Sequence, residues 1–68
     1  MNSKKIGDRL VELRQNRKLT VAEVATALGI TPSALSNYEN GIRIPKDEIK
    51  IKIADYYNES ITAIFFDD

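Results

Sequence analysis

Neither cysteine nor histidine occurs among the 68 residues. Without cysteine there is no disulfide and no thiolate metal site. Without histidine the usual general base and the commonest metal ligand are missing. A Gly-rich phosphate loop is also absent, and no nucleophile–base pair stands out, so the chain does not read as an enzyme and no cofactor or metal is expected. No apolar run approaches the ~20 residues that span a bilayer, and the N-terminal MNSKKIGDRL lacks the apolar centre of a signal peptide. A cytoplasmic protein with no membrane association is expected, in which Asn58-Glu59-Ser60 carries no meaning as a glycosylation sequon. A chain of this length makes one domain with a small core. Well-packed helices, self-association or both must hold it together.

An excess of charge of either sign is missing too: ten Lys/Arg stand against ten Asp/Glu. The distribution is uneven. Residues 1–46 carry eight basic against four acidic side chains, or +4, and residues 47–68 carry two against six, or −4. A nucleic-acid partner therefore remains open despite zero net charge, as does ordinary solvated charge.

What is present is helical periodicity. Ile6, Leu10 and Leu13 share one face of a first helix over 3–17. Thr20 with Glu23 forms a capping box, and Leu19 with Val24 a hydrophobic staple, opening a second helix over 21–28 whose inner face is Val24, Ala25 and Leu28. Gly29 ends it. Thr31 caps a third helix with Pro32 at its first position, and Asn40-Gly41 stops it. Ile49, Ile53 and Tyr57 line a fourth helix over 46–57, after Pro45. Ser60 caps a short fifth one carrying Ile61, Ile64 and Phe65. No segment alternates long enough for a strand. The fold class is all-α, a bundle of five short helices in a single domain, 1–68.

Only Gly29-Ile30-Thr31 separates the second and third helices, and a turn of that length containing glycine is a helix-turn-helix signature. The third helix is unusual in composition. Leu35 and Tyr38 suit a core, but Ser33, Ala34, Ser36 and Asn37 are neither greasy nor charged. Such a face suits the DNA major groove, where Asn matches adenine, Ser donates or accepts, and Ala touches a thymine methyl. On three polar residues alone, a merely solvated surface is the stronger reading; the wider context reverses it.

That context is the run "IGDRLVELRQNRKLTVAEVATALGITPSALSNYENGIRIP". With its elements "RLVELRQNRKLT", "AEVATALGIT", "ALSNYENG" and the following Pro, it resembles the lambda repressor/Cro-like helix-turn-helix family, also called the xenobiotic response element family. The tail "ADYYNESITAIFF" resembles that family's closing helices. The resemblance implies a five-helix DNA-binding domain acting as a dimer on two half-sites. It assigns base reading to Pro32, Ser33, Ala34 and Asn37. It assigns phosphate contacts to Thr20, Val21, Thr31 and Asn40, and the segment after the third helix adds Arg43 and Lys46. Many members carry Gln where Val21 stands, and Val21 offers only its backbone N–H. Pro32 replaces a residue that often contacts a base, which shifts the reading to Ser33 and Asn37. Arg17 and Lys18 are either further phosphate contacts or solvated surface. Arg14 and Glu39 occupy positions that often form a buried ion pair joining the first helix to the third, a scaffold role suited to a planar guanidinium.

The function implied is a sequence-specific transcriptional regulator, a repressor bound as a homodimer to a palindromic operator in double-stranded DNA, with no small-molecule ligand evident. The alternative is a protein-interaction or antitoxin-type module on the same fold. For the dimer, "SITAIFFDD" holds more apolar residues than one short helix can turn inward. Phe66, with neighbouring Ile64 or Thr62, is the expected contact, and the acidic Asp67-Asp68 is expected to lie away from the phosphates.

Overall fold

Asn2 opens the first helix: its side-chain oxygen accepts the N–H groups of Lys4 and Lys5 at 3.0 and 3.1 Å, satisfying two donors that a helix start leaves unpaired. A computed structural model, which describes residues 1–66, shows four α-helices and a closing turn. They are α1 (Ser3–Asn16), α2 (Val21–Leu28), α3 (Pro32–Glu39), α4 (Asp47–Tyr57) and a π-helical turn, Thr62–Phe66. No strand occurs among the described residues. The class is all-α, with five helical segments.

Local chemistry explains the boundaries. α1 stops at Asn16 because Lys18 takes a left-handed conformation (φ 56°), which brings the Leu19 N–H back to the Arg14 carbonyl at 3.2 Å. In the capping box of α2, the Glu23 N–H donates to Thr20 Oγ1 at 3.1 Å and the Thr20 N–H donates to Glu23 Oε1 at 2.9 Å. The Thr20 N–H, and then its hydroxyl, bond the Glu23 carboxylate and hold it below its ordinary pKa. Gly29 (φ 71°) turns the chain out of α2, with the Ile30 N–H donating to the Ala25 carbonyl at 3.0 Å. Thr31 Oγ1 then accepts the Ala34 N–H at 3.0 Å to start α3. Lys46 precedes α4 without a side-chain cap; Asp47 and Glu48 in the first turn suit the positive helix end instead. Asn58, left-handed at φ 55°, closes α4. Ser60 Oγ accepts the Ala63 N–H at 2.9 Å and opens the closing turn.

α1 packs chiefly on α3, α2 on α3 and α4, and the closing turn on α1. Ile6, Leu10, Val24, Ala25, Leu28, Leu35, Ile53, Tyr57, Ile64 and Phe65 form the centre of the core, with Leu13, Leu19 and Ile30 at its margin. Two expectations shift. The inward stripe of α4 is Lys50, Ile53, Ala54 and Tyr57, while Ile49 is only half-buried. The last segment winds as a π-helix rather than an α-helix, while Ile64 and Phe65 point inward as their spacing from Ile61 leads one to expect.

Candidate nucleic-acid interface

α3 is a short helix with two unlike faces. Leu35 and Tyr38 are buried, and Glu39 beside them is only 7% exposed. Pro32 and Ser33 are exposed at its N-terminus, whereas Ala34, Ser36 and Asn37 are half-buried along its flank. Ala34 leans on the core cluster, which limits how much of its methyl faces outward. The Asn37 carbonyl accepts the N–H groups of Ile42 and Arg43 at 2.9 and 3.3 Å. That pair of bonds folds the loop after α3 back beside the residue whose amide could reach a base. Arg43, Lys46 and Asn40 are exposed around that loop.

The two threonine caps stand at the starts of α2 and α3. Each hydroxyl oxygen accepts one backbone N–H; the Thr20 hydroxyl also bonds the Glu23 carboxylate, and the Thr31 hydroxyl keeps its proton for donation to an acceptor such as a phosphate oxygen. Val21 is half-buried on the core. Its backbone N–H belongs to the first turn of α2, where donors lack helical partners and the helix end is positive. The arrangement presents small donors and acceptors on α3, N–H donors at two helix starts, an O–H donor at Thr31, and two long cations on the following loop.

Behind this surface lies a polar scaffold. Arg14 Nε donates to Glu39 Oε2 at 2.8 Å and Nη2 donates to Oε1 at 3.1 Å, a bidentate pair. Their side chains are 15% and 5% exposed. Arg14 Nη1 also donates to the Leu19 carbonyl at 2.9 Å. One guanidinium therefore ties α1 to the end of α3 and to the entry of α2, and its hydrogen bonds to Glu39 raise its pKa above the ordinary value.

Other basic residues are committed inside the molecule. Arg17 donates from Nη2 to the Tyr57 carbonyl at 2.6 Å and from Nη1 to the Leu13 carbonyl at 3.3 Å, with its guanidinium 5.1 Å from the Tyr57 ring centroid. Though exposed, it latches the end of α4. Arg9 Nη1 donates to the Ile64 carbonyl at 2.9 Å. Lys4 pairs with Asp8 at 3.5 Å on the surface. Of the eight basic residues in 1–46, at least four, Lys4, Arg9, Arg14 and Arg17 among them, thus have intramolecular partners. These contacts restrict where the side chains reach but leave the +4 of the segment unchanged.

The expected assembly residues separate. Thr62 and Phe66 are exposed, Phe66 by 52%, but Ile64 is 2% exposed and belongs to the core. Ile64 is unavailable to a partner because it is packed in the core alongside Phe65. The acidic pair Asp67-Asp68 lies outside the described residues.

Comparison with known proteins agrees with this geometry. A helix-turn-helix family model, HTH_3, matches residues 10–64. The chain belongs to this family of lambda repressor-like, DNA-binding helix-turn-helix proteins. The HTH-type transcriptional regulator ImmR of Bacillus subtilis (strain 168) is 40% identical over 55 residues, which cover 81% of this chain and 43% of the relative. The HTH-type transcriptional repressor RghR of the same organism is 42% identical over 50 residues, covering 72% of this chain and 37% of the relative. The helix-turn-helix chain thus spans less than half the length of these curated relatives. In three dimensions it resembles the crystal structure of the clp gene regulator ClgR from C. glutamicum, with a TM-score of 0.83. That match has 21% identity and covers 97% of this chain and 86% of the other, a likeness of fold. No helix among the described residues is long and apolar enough to cross a membrane.

Three features of this helix-turn-helix unit escape a reading of the sequence. Gly7 in mid-α1 faces the end of α3, Lys50 is buried, and the Tyr57 hydroxyl is enclosed without a hydrogen-bond partner among the described residues. Two carry a signal. A glycine inside a helix costs ~1 kcal/mol and calls for a reason. Lys50 completes the i, i+3, i+4, i+7 stripe with Ile53, Ala54 and Tyr57. Nothing local marks the Tyr57 hydroxyl.

Proposed function

We propose that this chain is a sequence-specific transcriptional regulator, a repressor that binds a palindromic operator as a homodimer, with residues 1–68 forming one DNA-binding domain. The observation that carries the reading is α3 itself. It is held against the core by Leu35 and Tyr38 and aimed by the Arg14–Glu39 pair, and it offers a small, uncharged polar edge beside two capped helix starts. A major groove accepts a helix of this kind. Ser33 and Asn37 read base edges, Asn37 with an amide that matches adenine, while Pro32 and the partly covered Ala34 supply apolar contact. Thr20, the Val21 N–H, Thr31 and Asn40 hold phosphates beside the groove, and Arg43 and Lys46 add charge. Phosphate contacts fix the register and base contacts fix the sequence.

Two protomers of 27 × 23 × 22 Å, set side by side, suit half-sites whose centres lie about one DNA turn, ~34 Å, apart. Phe66 and Thr62 face that contact. Occupancy of the operator blocks polymerase. Selection of bound sequences from a random double-stranded pool tests the proposal. A palindromic consensus with half-sites one turn apart is expected. An unenriched pool would remove sequence-specific DNA binding and favour a protein partner.

A further inference from the structure

Lys50 is a cation in the wrong place for a surface residue. It sits on the inward stripe of α4 and is 6% exposed. An ammonium group moved out of water must be compensated. Its ion-pair partner is Asp47, one turn earlier at 3.3 Å, whose side chain is 93% exposed and so hydrated and weakly attractive. Among the described residues, the remaining compensation is aromatic. The Lys50 Nζ lies 5.1 Å from the Phe66 ring centroid and 5.9 Å from that of Phe65, within the range at which a ring's negative face attracts a cation. Phe65 is fully buried, but Phe66 remains 52% exposed. One ammonium therefore holds two successive rings of the closing turn, a segment that packs chiefly on α1, and ties it to α4 as well.

We propose that Lys50 is a positioning residue for assembly: it fixes the exposed Phe66 ring against α4 as a pre-formed contact for a second copy of this chain. The inference rests on the dimer reading above. A ring already fixed loses less freedom on association than one that swings free. The Lys50 ammonium, on a residue only 6% exposed, already lies largely out of water beneath the ring, where such an attraction is strongest. Lys50 then contributes to self-association without touching the partner.

Two measurements test this separately. The first is made by NMR on dilute wild type, Lys50→Met, Lys50→Arg and Phe66→Ser, all checked for helix content by circular dichroism. The ε-methylene protons of Lys50 should be shifted upfield by the rings, and Phe66→Ser should move them back; an unshifted signal in wild type overturns the proposal. The second is sedimentation equilibrium. Lys50→Met should weaken dimerisation about tenfold, and Lys50→Arg, which keeps the charge, should recover most of it. In a Phe66→Ser background, Lys50→Met should have no further effect. Equal dimerisation by wild type and Lys50→Met, or an equal loss from Lys50→Met in both backgrounds, overturns the role in assembly. A wild type that stays monomeric overturns that role together with the dimer reading, while the ring shift still decides whether Lys50 holds Phe66.

Discussion

Replacing Gly7 by alanine sets helix propensity against tertiary packing. On an isolated helix the change is favourable by ~1 kcal/mol, because alanine is the best helix former and glycine among the worst. In this fold Gly7 is where α1 meets the end of α3. A methyl group there would lie 2.9 Å from the Glu39 carbonyl carbon and 3.0 Å from the Tyr38 carbonyl oxygen, and closer still to the Glu39 carbonyl oxygen. Ordinary contact begins near 3.4 Å, so the helices must part by 0.5 Å or more (3.4 − 2.9). All three obstacles are backbone and cannot rotate away. Overpacking of this kind costs about 1–3 kcal/mol, and rigid neighbours put the cost toward the upper end. With the propensity gain subtracted, Gly7→Ala should destabilise the protein by roughly 1–2 kcal/mol. In a domain of this size that lowers Tm by about 5–15 °C. Urea unfolding of wild type and Gly7→Ala measures it, with the exposed Gln15→Ala as a control expected to stay within ~0.5 kcal/mol. Operator affinity should fall as well, since the displaced carbonyls belong to the end of α3. A Gly7→Ala protein about 1 kcal/mol more stable than wild type would refute the close approach of α1 and α3.

Breaking the Arg14–Glu39 pair through Arg14→Met or Glu39→Gln should each cost about 3 kcal/mol by stranding the other charge, and the double mutant should lose less than the sum; small additive effects in denaturant melts would argue against a buried pair. Tyr57→Phe should be neutral or stabilising by up to ~1 kcal/mol at pH 7, because the hydroxyl is buried without a partner among the described residues. Burial pushes that phenol up to about 12 from the ordinary 10, so its ionisation leaves stability untouched below pH 10 and lowers it as pH rises from 10 through 12, where the unfolded chain loses the proton first. Alkaline melts should show a wild-type slope, approaching ~1.4 kcal/mol per pH unit in that window, that Tyr57→Phe lacks. Asn37→Ala and Ser33→Ala should each cost roughly 1–3 kcal/mol on the operator and little on random DNA, while Arg43→Ala should weaken both; equal losses for Asn37→Ala on the two would move the reading surface elsewhere. With several basic residues engaged internally, Arg43 and Lys46 alone give a slope of log K against log salt of about −1.8 per protomer, or ~0.9 for each phosphate neutralised; binding indifferent to salt would exclude a phosphate-gripping surface.

What the sequence by itself determined is the order of the helices and how each begins and ends. Thr20 with Glu23, Thr31 before Pro32, Gly29 and Ser60 act on backbone groups within four residues, so their effect is written locally. The inward stripes of α2 and α3 follow from the 3.6-residue period for the same reason. The edges of those stripes are less legible. Ala34 and Asn37 are half-buried because α3 turns its flank against neighbouring parts of the fold, and a helical wheel contains no neighbour. Tertiary structure alone decided the fate of the long side chains. Arg17 reads as a phosphate contact or solvated surface and Lys50 has no role assigned from sequence; in the fold Arg17 spans to the end of α4 and Lys50 lies under two rings. A flexible stem lets a charged head go wherever folding gathers carbonyls or aromatic faces. Gly7 is required because another helix's backbone passes where a side chain would stand. These outcomes depend on which surfaces meet, and that is set by the packing of the helices as a whole.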